Sequence, residues 1–309
     1  MALVTTAVVP VAGLGTRLLP ATKSQPKEML PVGGKPVVQH VVEELAAAGI
    51  ERIVFVTGRG KGAIEDHFDR DPMLTAEIER RGDPELLARL GFEQMGVSFS
   101  YTRQPSPRGL GDALLCADGF TGAGPFAVAL GDAILGTRDG PPVIARLAAA
   151  LEQHGAGCAI AVRDVPRSQT GRYGIVSTDD DDDDDDDDGD DDGDVALVSA
   201  IVEKPDPAAA PSTLAVAARY VMTPAIFAAL RETPPAVNGE VELTHAIARL
   251  IADGTPVVAV RLGAVERHDV GTHESYAAAF LAFALTDPAH GQRMRALARA
   301  LLAAHDDER

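Results

Sequence analysis

Two hydrophobic rhythms alternate along the chain. Short unbroken apolar runs, at residues 7–11 (AVVPV), 53–57 (IVFVT), 126–130 (FAVAL), 158–165 (CAIAVRDV) and 214–222 (LAVAARYVM), read as strands of a sheet covered on both faces. Residues 97–102 and 256–262 alternate apolar and polar positions and read as further strands. Between them, residues 36–48, 141–154, 224–232 and 240–253 carry apolar positions at helical spacing, and the first of these stops at Gly49. A strand–helix–strand succession favours parallel pairing. The expectation is one domain, residues 1–309, of α/β class with a mixed, mainly parallel central sheet flanked by helices. Residues 175–178 and 195–202 add a small β-hairpin, and residues 272–309 add closing helices. Residues 60–91 read as a helical surface excursion, interrupted at Asp71-Pro72 and Asp83-Pro84.

Composition changes this picture little. Hydrophobic residues make up 46% and aromatics only 4%, without Trp, so the core must be built from Val, Leu, Ile and Ala. The net charge of −18 is local, because fourteen Asp lie between residues 179 and 194 and removing them leaves −4. That tract has almost nothing apolar to bury and repels itself, so it is expected as a disordered loop. The rest has no Lys/Arg-rich block, which argues against nucleic-acid or membrane partners. Cys116 and Cys158 have no metal-ligand spacing, so a reduced, cytoplasmic setting is expected.

Candidate chemistry concentrates at strand ends. The first strand runs into VAGLGTRLLPATKSQPKEMLPV, where small residues Ala12 and Gly13 let backbone N–H groups approach a phosphate or a base. Arg17 and Lys27 on the same loop can hold phosphate charge. Gln104 and Gly109 follow the strand at 97–102 and precede a helical pattern. Asp132 stands just past FAVAL, and Asp269 follows the strand at 256–262, so two acids reach strand ends where α/β sheets bind ligands. Glu203 and Lys204, before Pro205, can respectively accept from sugar hydroxyls and reach a phosphate. A dinucleotide fingerprint is excluded, because Leu18 stands where its third glycine belongs.

Taken together, PATKSQPKEMLPV, the Gly-Asp after FAVAL, Tyr173-Gly174, Glu203-Lys204-Pro205 and Asp269-Val270-Gly271 resemble the bacterial UTP–glucose-1-phosphate uridylyltransferases, a sugar nucleotidyltransferase family. The resemblance implies a Rossmann-like fold of nucleotide-diphospho-sugar transferase type and transfer of uridylyl from UTP to glucose 1-phosphate. It implies Mg²⁺ held by Asp132 and Asp269, with Arg17 and Lys27 on the triphosphate. Ala12, Gly13, Glu28, Gln104 and Gly109 are then candidates for the nucleoside side, and Gly174, Glu203 and Lys204 for the sugar. A homo-oligomer, dimer or tetramer, is expected. His245 departs from the family, which commonly has Asp there. A thymidylyltransferase and a catalytically silent paralogue that only binds nucleotide sugar are the alternative readings.

Overall fold

The computed structural model describes residues 4–136, 140–179 and 194–306. Its strands are β1 (Thr6–Pro10), β2 (Pro31–Val32), β3 (Lys35–Pro36), β4 (Arg52–Thr57), β5 (Ser98–Arg103), β6 (Phe126–Ala129), β7 (Ala133–Leu135), β8 (Cys158–Asp164), β9 (Gly174–Thr178), β10 (Val195–Glu203), β11 (Leu214–Met222), β12 (Val257–Arg261) and β13 (Arg267–Asp269). Nine of them form one sheet in the order β5-β4-β1-β6-β11-β8-β12-β10-β9. Two small ribbons, β2–β3 and β7–β13, stand apart from it.

The first half follows the sequence pattern. β1 pairs in parallel with β4 and β6, and β4 with β5, as helical crossovers between them require. Consecutive residues of each strand serve opposite faces. Val9, Ile53 and Phe55 pack with Val38, Val41 and Leu45 of helix Val37–Ala47 and with Leu147 of helix Val143–Gln153. Val8, Val54 and Val128 pack on the other side with Leu114, Phe227, Leu230 and Ile247. Both faces are therefore apolar, which is why these strands read as unbroken runs.

The expected predominance of parallel pairing is corrected in the second half. β11 runs antiparallel to β6 and β8, β10 antiparallel to β12 and β9, and only β8–β12 is parallel. β9 also meets β11, Ala215 opposite Ile175, so β11, β8, β12, β10 and β9 close into a five-stranded barrel. Between β8 and β11 the described residues form no α-helix, so the crossover that parallel pairing needs is missing there. Register shifts at Val216/Tyr220 and Val198/Ala200 bend the long strands, with Ala218 at φ 64° inside the first.

The β9–β10 hairpin forms as expected, but the Asp-rich tract between its strands, residues 180–193, lies outside the described residues. Residues 60–91 do form helices, yet the excursion is not all surface. Ile64 and Phe68 of helix Gly62–Phe68 belong to the core. The Asp-Pro pairs start helices rather than merely break them, because Asp71 and Asp83 each accept from a backbone N–H three residues on, with Pro at the first helical position. Helices His273–Thr286 and Gly291–Asp306 close the chain.

Candidate active site

Beyond β1 the chain stays on the sheet for one more residue, the Val11 N–H donating to Val56. It then folds into short 3₁₀ turns. Leu18 plugs into a small apolar cluster with Leu30, Val32, Ile134 and Val270, which anchors the loop. Arg17, its neighbour, lines a cavity on the opposite side.

Two cavities meet here. One, of about 440 Å³, is lined by Ala12, Gly13, Arg17, Lys27, Glu28, Gln104, Gly109 and Asp132. The other, of about 430 Å³, is lined by Arg17, Asp132, Gly174, Glu203, Lys204 and Asp269. Every candidate residue therefore borders one or the other, and Arg17, Asp132, Leu110, Leu130 and Glu240 border both.

Asp132 and Asp269, far apart in sequence, are joined by the β7–β13 ribbon. Asp269 lies opposite Ala133, and the Val270 N–H donates to the Asp132 carbonyl at 2.8 Å. Burial opposes ionisation of Asp132, but the Lys27 ammonium hydrogen-bonded to it, with Arg267 beyond, outweighs burial and holds its carboxyl below the usual range. At Asp269 burial and the Asp132 charge act together, and the carboxyl is pushed up. Gly271 permits this crowding, since a Cβ there would sit 2.9 Å from Asp269 Oδ2 and 3.2 Å from the Arg17 guanidinium. Two adjacent, partly buried carboxylates of which one resists ionisation suit a divalent cation. Among the described residues no larger cluster of carboxylates, imidazoles or thiols joins them. A cation held there would complete its shell with substrate oxygens and water, as Mg²⁺ prefers.

Glu28 is not an open contact. It is 2% exposed and its Oε2 accepts from Lys61 Nζ at 2.8 Å, inside the wall of the first cavity. Burial raises its carboxyl more than Lys61 and Lys27 lower it. Gln104 is likewise engaged: its amide nitrogen donates to the Gly109 carbonyl at 3.1 Å and to Asp112 at 2.8 Å. Gly109 has φ 93°, and a Cβ there would meet the Val241 carbonyl at 2.7 Å. The Val241 N–H donates to Arg108, and Gly111 donates to Val241, so the loop is clamped to segment 239–242.

In the second cavity Glu203 pairs with Gly174 across β9–β10, and Lys204 takes φ 42°, a strained turn for a side chain other than glycine. Lys204 Nζ lies 2.6 Å from Glu203 Oε1. Burial lowers its proton affinity, but Glu203, Glu242 and Glu240 raise it further, so the ammonium is firmly charged. His245 borders neither cavity. It is half exposed, with Nε2 3.6 Å from Glu242.

Sequence reasoning missed Lys61, Asp112, Glu240, Glu242 and Arg267. The buried Lys61 and Asp112 gave no signal, since each acts through a partner chosen by the fold. Arg267 had one: it stands two residues before Asp269, hence on the same face of a strand.

A nucleotide-sized cavity at the carboxyl ends of β1, β5 and β6, contiguous with a second lined by acids and cations, is the arrangement of a two-substrate transferase. The nucleotidyl transferase family model matches residues 6–285, and the chain belongs to that family. Among its relatives, the UTP–glucose-1-phosphate uridylyltransferase of Bacillus subtilis (strain 168) is 42% identical over 281 residues, 91% of each chain. A UTP-bound UGPase from Acinetobacter baumannii superposes with TM-score 0.83 at 37% identity, covering 96% of this chain and 98% of that one. A UDP-glucose pyrophosphorylase complexed with UDP-glucose gives TM-score 0.77 at 33% identity, over 91% and 98%. No helix among the described residues is long and apolar enough to cross a membrane.

Proposed function

We propose that this chain transfers the uridylyl group of UTP to glucose 1-phosphate, giving UDP-glucose and pyrophosphate. The observation that carries this reading is the junction of the two cavities at Arg17 and Asp132. A relative at 37% identity is described as UTP-bound and another at 33% as complexed with UDP-glucose, which supports a site that takes a nucleotide and a sugar together.

A sugar phosphate has its second pKa near ~6, so at neutral pH it is largely a dianion and already nucleophilic. One of its oxygens bonds to the α-phosphorus as the bond from that phosphorus to pyrophosphate breaks. No side chain has to remove a proton. The protein's task is positioning and charge neutralisation.

The Arg17 fork braces the leaving β- and γ-phosphates. Lys27, which donates to Asp132 at the border of the nucleotide cavity, serves the α-phosphate, where negative charge develops. Gln104, its amide nitrogen already engaged, meets the base through its carbonyl oxygen, with Ala12, Gly13 and Gly109 offering close backbone approach. Glu28, neutralised by Lys61, supports that wall. Glu203 and the Gly174 backbone hold the glucose hydroxyls, and Lys204 attracts the sugar phosphate.

A divalent cation, for which we propose Mg²⁺, would be held by Asp132 and Asp269. When bound it would draw charge from the phosphate oxygens and align them. A dimer or tetramer is part of this reading, because Leu297, Leu301 and Leu302 lie exposed on the closing helix.

The test is pyrophosphate release from UTP, dTTP, ATP and GTP, each against glucose, galactose and N-acetylglucosamine 1-phosphates. UTP with glucose 1-phosphate should exceed every other pair. Preference for dTTP would make this a thymidylyltransferase, and silence with all pairs would leave only a binding protein.

A further inference from the structure

Alternation along β13 sorts its three residues. Arg267 and Asp269 border the sugar-side cavity, while the His268 ring meets Phe283 at 5.3 Å on the other side. The Arg267 side chain is only 7% exposed. Its guanidinium carbon stands 5.0 Å over the centroid of Tyr173, another residue of the same cavity. A terminal nitrogen approaches Asp269 Oδ1 at 3.5 Å, at the limit of a hydrogen bond. The Nε–H is buried and has no partner.

Among the described residues Arg249 Nε is the other such guanidinium donor, but the Arg249 side chain is 41% exposed, on an outer helix, whereas that of Arg267 is inside the cavity wall. A buried guanidinium offers five N–H groups in a rigid fork, and a structural arginine normally satisfies them with carboxylates or carbonyls. Arg219 does so here, bonding both oxygens of Glu44 and two carbonyls. The lysines that border the two cavities are engaged as well, Lys27 with Asp132 and Lys204 with Glu203. Arg267 thus carries charge and an unspent donor, stacked on a ring, beside both acidic groups of the junction.

We propose that Arg267 contacts substrate directly, its fork anchoring the phosphate of the sugar 1-phosphate beside Asp132 and Asp269 while Tyr173 fixes the guanidinium plane. Planar donors match two phosphate oxygens at once, which a lysine cannot do. This rests on the functional reading above and adds a residue to it.

The experiment uses full-length Arg267→Gln and Arg267→Lys. Glucose 1-phosphate is titrated calorimetrically into each in the presence of a chelator, and KM for both substrates is measured by pyrophosphate release. Arg267→Gln should weaken glucose 1-phosphate in Kd and KM by about tenfold to a hundredfold, as loss of a charged hydrogen bond implies, with KM for UTP changed by less than about twofold. Arg267→Lys should recover the charge but not the fork, remaining about tenfold weaker than wild type. Wild-type Kd in either variant would overturn the proposal. So would equal weakening of both substrates with a lowered Tm, because Arg267 would then only hold Asp269. If wild type bound glucose 1-phosphate through Arg267 yet released no pyrophosphate from UTP, the functional reading would fall and this one would stand.

Discussion

Replacing Lys61 by Met tests how the nucleoside wall is held. Lys61 precedes helix Gly62–Phe68 and is 5% exposed; it donates to Glu28, itself 2% exposed, at 2.8 Å. Methionine fills nearly the same volume, so little is lost in packing. What is lost is the cation facing a carboxylate that is only 2% exposed. Breaking a buried pair from one side costs about 3–5 kcal/mol, far more than an exposed pair is worth. For a chain of this length an unfolding entropy of roughly 2.1 cal/mol/K per residue converts that into a Tm lower by about 5–8 °C.

The pH dependence has a definite sign. Burial already raises the Glu28 carboxyl above its ordinary value, with Lys61 first among the opposing groups. Removing Lys61 raises it further. A carboxyl whose folded value lies above its unfolded one binds its proton more readily in the native state, so the variant's deficit is largest above the folded pKa and shrinks as pH falls toward the unfolded value. Thermal unfolding of wild type and variant across pH 5–8 reads this difference directly, since shared titrations cancel. Adding Glu28→Gln should restore most of the loss at pH 8. A deficit below about 1 kcal/mol, or one independent of pH and untouched by the second substitution, would refute the reasoning.

Other substitutions test other parts. Asp132→Asn should abolish turnover, by about a hundredfold or more, while the far-UV spectrum and Tm stay near wild type; half-activity would remove Asp132 from its role. Lys204→Ala should raise KM for glucose 1-phosphate by about tenfold and leave KM for UTP unchanged, as steady-state kinetics would reveal. Gly109→Ala puts a Cβ 2.7 Å from the Val241 carbonyl at a positive φ, and should raise KM for UTP at least about tenfold through the displaced Gln104 loop.

The parallel half of the sheet was legible because each strand there is apolar throughout and a helical pattern separates it from the next. The barrel was not, because β11 is as apolar as a parallel strand: all nine residues are buried, and direction is decided by the missing crossover. Single residues at strand ends were legible for the same reason that they are useful, since a core strand fixes where its next residue stands. Asp132, just past β6, and Glu203, at the end of β10, are of that kind, whereas Arg17 in a 3₁₀ turn and Asp269 on the β7–β13 ribbon were legible through their motifs. Glu28 and Gln104 were legible as places but not as contacts. Lys61 comes from another part of the chain and stood beside no motif; Asp112, three residues past Gly109, stood within the stretch but reads there as an ordinary first-turn acid of a helix. His245 drew notice as a departure and proved peripheral, as a half-exposed helix position allows.

The charge of the site supplies the last argument. Five cations border the two cavities, Arg17, Lys27, Arg172, Lys204 and Arg267, against six carboxylates, Glu28, Asp132, Glu203, Glu240, Glu242 and Asp269. With all of them ionised the lining is near −1, and Lys61 behind Glu28 brings it only to neutrality. UTP and glucose 1-phosphate together bring about six negative charges at neutral pH. Releasing Lys27 and Lys204 to the phosphates exposes Asp132 and Glu203 in turn, so rearranging side chains cannot balance the account. A site whose lining is already neutral can hold two polyanions side by side only if positive charge enters with them. Turnover should therefore fall at least about a hundredfold in excess chelator and return on adding Mg²⁺, with the protein folded throughout by circular dichroism. Full activity in chelator would mean that the carboxylate pair at Asp132 and Asp269 serves another purpose.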